Sequence, residues 1–249
     1  MTSPTLPLPT HRIGVLVPPA NPTVEIEYPA LAPENVAVHF MRLPIIAGDL
    51  QARNHGYVDS YAQALKGFGS LKLDGIAIAM TGPQYRLGYQ GDLDLCRNLS
   101  DAIGIPVETA SLALARALQA QGITRISLLS PYPAWLTEFA THYWKSAGFS
   151  IEAIHKFSDE LVAYSLSPSA VAEGIRAATA HPDGALLLSG TGMRTLEAIA
   201  EVSTQIQIPI VSSNICSVWS ITRQLGKTPS AWMQQTLPKT LLNSTPAAA

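Results

Sequence analysis

The sequence predicts an α/β protein made of two similar, Rossmann-like halves, each a parallel sheet with helices on its faces. Three observations carry the prediction. Asp183 to Arg194 (DGALLLSGTGMR) is an apolar run that ends abruptly in small, hydroxylated and glycine residues, the pattern of a buried parallel strand feeding a turn. The pattern occurs twice, because Asp74 to Tyr85 (DGIAIAMTGPQY) has the same Asp-Gly start, apolar run and Thr-Gly turn. A second pair agrees: Arg12 to Pro18 (RIGVLVP) is echoed by Arg125 to Pro131 (RISLLSP). The pairs recur at spacings of 113 residues (12 to 125) and 109 residues (74 to 183), so the same strands return in the same order, as in an internal duplication.

Taken in order, residues 12–18 form the first strand, and the loop Pro19 to Thr23 leads into a helix with Glu25 and Glu27 at its start, where acids suit the positive end of the helix. Ala37 to Leu43 is a second strand. Val58 to Leu71 carries apolar residues at helical spacing (Val58, Tyr61, Ala62, Leu65, Phe68) and precedes the strand Gly75 to Met80. Leu93 to Ile103 reads as an amphipathic helix with Leu95, Cys96, Leu99 and Ile103 on one face. Pro106 to Glu108 is a short strand, and Ser111 to Gln121 a helix ended by Gly122. The second half follows the same plan: strand 125–131, a helix through Trp135, Phe139 and Tyr143 that stops at Gly148, strand Ile151 to Phe157, helix Pro168 to Ala180, the strand and turn of 183–194, helix Thr195 to Gln205, and strand Pro209 to Ser213. The helix Ile215 to Leu225 is expected to pack back on the first half. The expected division is a flexible tail over 1–11, a first lobe from 12–115 plus 211–245, and a second lobe over 116–210, with a frayed STPAAA end.

Composition narrows the function classes. With 47% hydrophobic and 14% charged residues the chain can bury a substantial core. A net charge of -2 gives no basic footprint for nucleic acid, and no apolar run approaches the roughly 18 residues that span a bilayer. The first ten residues lack the basic start and apolar stretch of a secretory signal. Two cysteines, Cys96 and Cys216, suit a reduced compartment better than a disulfide framework. The expectation is a cytoplasmic protein whose partner is a small molecule, not nucleic acid or membrane, with homo-oligomerisation left open.

In parallel α/β sheets, ligands bind beyond the carboxyl ends of the strands, where turns and helix starts present backbone N–H groups. Those ends carry Pro18, Pro19 and Asn21; Thr81 and Gly82; Ser130 and Tyr132; Ser189, Gly190, Thr191 and Gly192; and Ser212, Ser213 and Asn214. Glycines let an anion approach the backbone and hydroxyls donate to it, so the set reads as a cradle for a carboxylate. Ordinary strand-to-helix turns use the same residue types, and it is the set, not any one member, that suggests a site. Gly190 to Thr195 (GTGMRT) lacks the third glycine of a dinucleotide loop, no Walker loop or Gly-x-Ser-x-Gly elbow is present, and the six histidines have no metal-ligand spacing. Arg194 could pair with a substrate carboxylate or cap its own helix.

RIGVLVPPANPTVEIEY, MTGPQYRLG, SPYPAWL, LLLSGTGMRTLEAI and IPIVSSN resemble, in order and spacing, the strand-end motifs of the aspartate/glutamate racemase superfamily, in the branch of maleate cis-trans isomerase and arylmalonate decarboxylase. The resemblance implies two α/β lobes related by a pseudo-twofold axis with the substrate in the cleft between them, and cofactor-independent chemistry on small carboxylates. In that family one or two cysteines, one per lobe, move protons or attack carbon. Here the second-lobe position falls on Gly190 and the first-lobe position on Met80 or Thr81, so both thiols are replaced. Racemisation needs acid and base groups on opposite faces of a carbon, which neither Gly nor Met supplies. Decarboxylation of an activated malonate needs mainly stabilisation of the enediolate. The resemblance then implies Thr81, Tyr132 and Thr191 as the groups that hold it, with Asn21 and the Gly82 and Gly192 amides assisting, and Pro18, Pro19, Ser130, Ser189, Gly190 and Asn214 lining the substrate. Cys216, near a helix start, is the one thiol that could serve as proton donor, or it faces the core beside Ile215, Val218 and Trp219. An arylmalonate-decarboxylase-like lyase, a maleate-isomerase-like or racemase-like isomerase, a lyase or hydrolase acting through bound water, and a non-catalytic carboxylate-binding protein all remain open.

Overall fold

The computed structural model describes residues 9–178 and 181–236. Most of the expected N-terminal tail, the last residues of the helix expected to reach Ala180, and the chain beyond Thr236, including STPAAA, lie outside the described residues. Two four-stranded parallel sheets form the frame. The first contains β1 (His11–Val17), β2 (Val36–Arg42), β3 (Gly75–Ile78) and β4 (Val107–Thr109) in the order β2-β1-β3-β4. The second contains β5 (Arg125–Ser130), β6 (Ser150–Lys156), β7 (Ala185–Leu188) and β8 (Ile210–Ser212) in the order β6-β5-β7-β8. The two orders are the same when counted from the start of each half. The repeated motifs occupy equivalent places: RIGVLV and RISLLS are β1 and β5, and the Asp-Gly runs feed β3 and β7. Ile13 stands opposite Gly75 in the first sheet, and Ile126 opposite Ala185 in the second. The central strands β3 and β7 are buried at every position, as expected for parallel strands covered on both faces.

The helices are α1 (Val24–Leu31), α2 (Leu50–Leu65), α3 (Gly82–Ile103), α4 (Ala110–Ala120), α5 (Ala134–Ser146), α6 (Pro168–Ala177), α7 (Thr195–Val202), α8 (Ser213–Gln224) and α9 (Ala231–Thr236). Two of them begin earlier than the sequence pattern suggests. Asp49 caps α2, its side chain accepting from the Ala52 amide at 2.8 Å, so the helix starts eight residues before Val58 and buries Asn54, Tyr57, Tyr61 and Leu65; Ala62 faces solvent. α3 starts directly after β3, with Pro83 in its first turn, and continues through a kink at Gly88 (φ 70°). Its buried face includes Asp92, Cys96 and Leu99, whereas Ile103 is exposed. α7 stops at Val202, short of Gln205.

The halves pack through helices at equivalent positions. α4 and α8, which follow the fourth strand of each sheet, lie against each other, and α8 also covers α1 and β3, so the helix expected over Ile215 to Leu225 does return to the first half. α3 packs on α5 around an aromatic cluster in which Tyr85, Tyr143 and Trp144 meet edge to face at centroid distances of 5.1–6.2 Å. The Glu27 carboxylate of α1 crosses to the start of α7. It accepts from the Thr195 amide (2.6 Å), the Leu196 amide (3.1 Å) and the Asn214 side chain (2.7 Å), satisfying helix-end donors that would otherwise be buried unpaired.

Candidate active site at the seam of the two sheets

The carboxyl ends of both sheets meet at one narrow cavity of about 60 Å³. Pro18 from the end of β1, Met80, Thr81 and Gly82 from β3 into α3, Tyr132 after β5, and Thr191 and Gly192 after β7 all line it. The remaining wall comes from places the sequence reading did not single out: Leu50, Arg53, Asn54 and Tyr57 on α2, Leu136 on α5, and Leu161, Ala163 and Tyr164 on the segment between β6 and α6.

At its centre the hydroxyls of Thr81 and Tyr132, one from each half, lie 2.7 Å apart. Whichever donates to the other, the pair retains one O–H for a third group. Burial, with the Tyr85 phenol nearby, pushes the Tyr132 phenol well above the ordinary tyrosine range, against hydrogen bonding from Thr81, Ser189 and the Gly82 backbone. Tyr132 therefore stays protonated at neutral pH and acts as a donor. Gly82 and Pro83 bring the start of α3 to the same wall, and its partial positive charge favours an oxyanion there.

Other residues of the expected cradle serve the seam. The Thr191 hydroxyl donates to the Ala79 carbonyl (2.8 Å) and accepts from the Asn21 side chain (3.2 Å), so its only proton is committed within the protein. Asn21 caps the entry to α1 through the Thr23 and Val24 amides. Ser189 pairs with the Tyr85 hydroxyl (2.7 Å), Ser130 with Thr137 (2.8 Å), and Asn214 with Glu27 and the Thr191 carbonyl. Asn21, Ser130, Ser189, Gly190 and Asn214 are buried behind the cavity wall and do not line it, and Pro19 is displaced from it as well. The amide of Gly190, a residue expected to line the substrate, donates to the Ser213 hydroxyl at 3.1 Å. Gly190 is held at φ +98°, and a Cβ there would stand 2.9 Å from Pro131 Cγ and 3.2 Å from the Tyr132 oxygen. Tyr132 thus occupies the space into which a side chain at position 190 would project. Cys216 lies in the first turn of α8, fully buried within the core beside Val218 and Trp219, and burial pushes its thiol far up; it is out of reach of the cavity, contrary to the possible donor role. Cys96 is core as expected. Arg194 is exposed and bonds Glu197 one turn on.

Met80 and Thr81, the two residues on which the resemblance puts the first-lobe position, both line the cavity, and Met80 offers a thioether with no ionisable proton. Among the described residues no group of three or more His, Cys, Asp or Glu side chains is placed to hold a metal ion, and no helix is long and apolar enough to cross a membrane.

Comparison with known proteins gives one answer. The chain is 28% identical over 232 residues to the arylmalonate decarboxylase of Bordetella bronchiseptica, covering 87% of this chain and 91% of that protein. It is 26% identical over 238 residues to the maleate isomerase of Pseudomonas putida, covering 88% and 93%. Among solved structures, the maleate cis-trans isomerase of Nocardia farcinica bound to Tris superposes with a TM-score of 0.80 at 19% identity, over 95% of this chain and 96% of that one. A cysteine-to-serine mutant of the same enzyme, with a covalently bound succinylcysteine intermediate, gives 0.78 at 21% over 94% and 99%. These likenesses place the protein among isomerases and decarboxylases with this two-lobed fold. The family model for arylmalonate decarboxylase matches residues 13–237, from β1 through α9, and the chain belongs to that family.

Proposed function

We propose that the protein is a cofactor-independent decarboxylase of substituted malonates, working through an enediolate without a thiol. One observation carries this choice over isomerisation: the cavity between the sheets presents hydroxyl, amide and guanidinium donors, and neither of the chain's two cysteines lines it. A cysteine adduct, such as the succinylcysteine of the Nocardia enzyme mutant, has no nucleophile here.

In this reading the retained carboxylate sits against the Thr81–Tyr132 pair and the start of α3. The departing carboxylate faces the apolar side of the cavity at Leu136 and Leu161, which solvates a charged group poorly and a neutral CO₂ well. The C–CO₂ bond breaks, its electron pair passes into the retained carboxylate to form the enediolate, CO₂ leaves, and a proton from water closes the C–H bond. The protonated Tyr132 and its Thr81 partner hold the developing dianion. Removing one such donor lowers turnover by about 10²–10³. Substituted malonates incubated in D₂O and followed by proton NMR test the reading: CO₂ loss with deuterium at the product carbon is expected, and Tyr132→Phe and Thr81→Ala each slow it. If both variants keep wild-type turnover, or only maleate is converted, the reading is wrong.

A further inference from the structure

The wall that borders Gly82 is built in part by α2, whose first two turns carry two donors with unmet capacity. Asn54 is 4% exposed, lines the cavity, and has no hydrogen-bond partner for its side-chain Nδ2. It borders the cradle: a Cβ at Gly82 would lie 3.6 Å from that nitrogen. Arg53, the preceding residue, lines the same cavity; among the described residues no ion pair includes it, and the one hydrogen bond of its side chain is a long 3.4 Å approach of Nε to the Asp49 carbonyl. A buried amide donor left unpaired is destabilising, and a cation facing a cavity without a carboxylate partner keeps its charge available. An apolar substituent bound at this wall would leave the Asn54 donor unsatisfied, and sites built that way reject such ligands strongly. A carboxylate would accept from both residues at once.

We infer that Arg53 and Asn54 are specificity-determining residues that select substrates whose side group ends in a carboxylate over those whose side group is apolar. The inference rests on the cavity being the substrate site described above. The charge is supplied by the half-buried Arg53, while Asn54 reads the acceptor beside Gly82. A malonate bearing a carboxymethyl group fits both walls, with one carboxylate on the Thr81–Tyr132 pair and its side-chain carboxylate on α2.

The test uses unreactive ligands of matched shape, so that binding is read separately from turnover. Succinate and 4-methylpentanoate are the decarboxylation products of carboxymethylmalonate and isobutylmalonate, and differ by a carboxylate against an isopropyl group. Titration calorimetry with the full-length protein is expected to show succinate binding at least tenfold tighter, as a charge-assisted contact supplies. Arg53→Met brings the ratio close to one, Arg53→Lys retains part of it, and Asn54→Ala lowers it. Equal or reversed affinities in the wild type, no binding of either ligand, or a ratio unchanged in Arg53→Met overturns the inference. Turnover of the two malonates is measured in parallel: a carboxylate preference that depends on Arg53 together with no CO₂ release would refute the decarboxylase reading and leave this inference standing.

Discussion

Placing a cysteine at position 190, where the resemblance to the family puts a second-lobe thiol, is expected to damage this protein instead of converting it to an isomerase. Gly190 sits at φ +98°, a conformation that costs any residue with a Cβ about 1–3 kcal/mol. The added Cβ would also meet Pro131 Cγ at 2.9 Å, well inside the 3.5–4.0 Å optimum for carbon contacts, and overpacking of a buried site costs about 1–3 kcal/mol more. Together these give a loss of about 4 kcal/mol, or roughly 8–16 °C in Tm for a chain of this size. Relief of the overlap moves Tyr132, whose oxygen lies 3.2 Å from the same Cβ position, and lengthens the 2.7 Å contact to Thr81 on which the donor pair depends. Urea titration of Gly190→Cys and Gly190→Ala beside Gly104→Ala separates the contributions. Gly104 has φ +75° with no atom within 4 Å of its Cβ position, so its variant reports backbone strain alone. If Gly190→Cys matches the wild type in stability and interconverts maleate and fumarate, both the packing argument and the thiol-free mechanism fail.

Three further perturbations follow. Asp92 is fully buried, accepting from Thr109 and Tyr143, and burial raises its carboxyl from 3.8 to about 7. The folded state therefore holds a proton that the unfolded state releases between these values, so stability falls as pH rises from about 4 to about 7 and levels off above, by up to about 4 kcal/mol at ~1.4 kcal/mol per pH unit. Urea midpoints at pH 5 and 8 should show Asp92→Asn gaining on the wild type as pH rises; a pH-independent difference would contradict this. Glu27→Gln replaces an acceptor-only carboxylate facing the Thr195, Leu196 and Asn214 donors with an amide that must direct some of its own N–H at them, and about 2–3 kcal/mol of stability should be lost at pH 7 by calorimetry; an unchanged Tm would show that Glu27 is not the clasp described. Both thiols being buried, a colorimetric thiol reagent should react with the folded protein only at the rate of unfolding, and turnover should survive the treatment; fast loss of activity would restore Cys216 as a catalytic candidate.

The frame of the molecule was legible because parallel strands buried on both faces leave continuous apolar runs, and duplicated ones leave them twice. RIGVLV with RISLLS and the paired Asp-Gly motifs located β1, β3, β5 and β7 and the turns beyond them. The starts of α2 and α3 were hidden by low apolar content and by glycines at 56, 82, 88 and 91, which weaken the helical pattern. Asp49 as a cap, followed by Asn54, Tyr57, Tyr61 and Leu65 at helical spacing, was the available signal for α2 and would have brought Arg53 and Asn54 into view. Strand-end hydroxyls could be recognised as a group, but which of them face a ligand depends on partners far along the chain. Thr191 donates its hydroxyl proton in a hydrogen bond to the Ala79 carbonyl and Ser189 pairs with Tyr85, both across the seam, and no local pattern encodes either contact.

Thr81–Tyr132, Ser189–Tyr85, Asn21–Thr191, Thr191–Ala79 and Thr23–Gly192 all tie one half-chain to the other around a single cavity. The candidate site is thus a joint and not a surface carved into either half. Under the proposed function, parting the two halves to admit a bulky guest would also separate the hydroxyl pair meant to act on it, so loading and competence would alternate like a latch. A substitution far from the cavity that merely loosens the joint would silence the enzyme while leaving every chemical group in place.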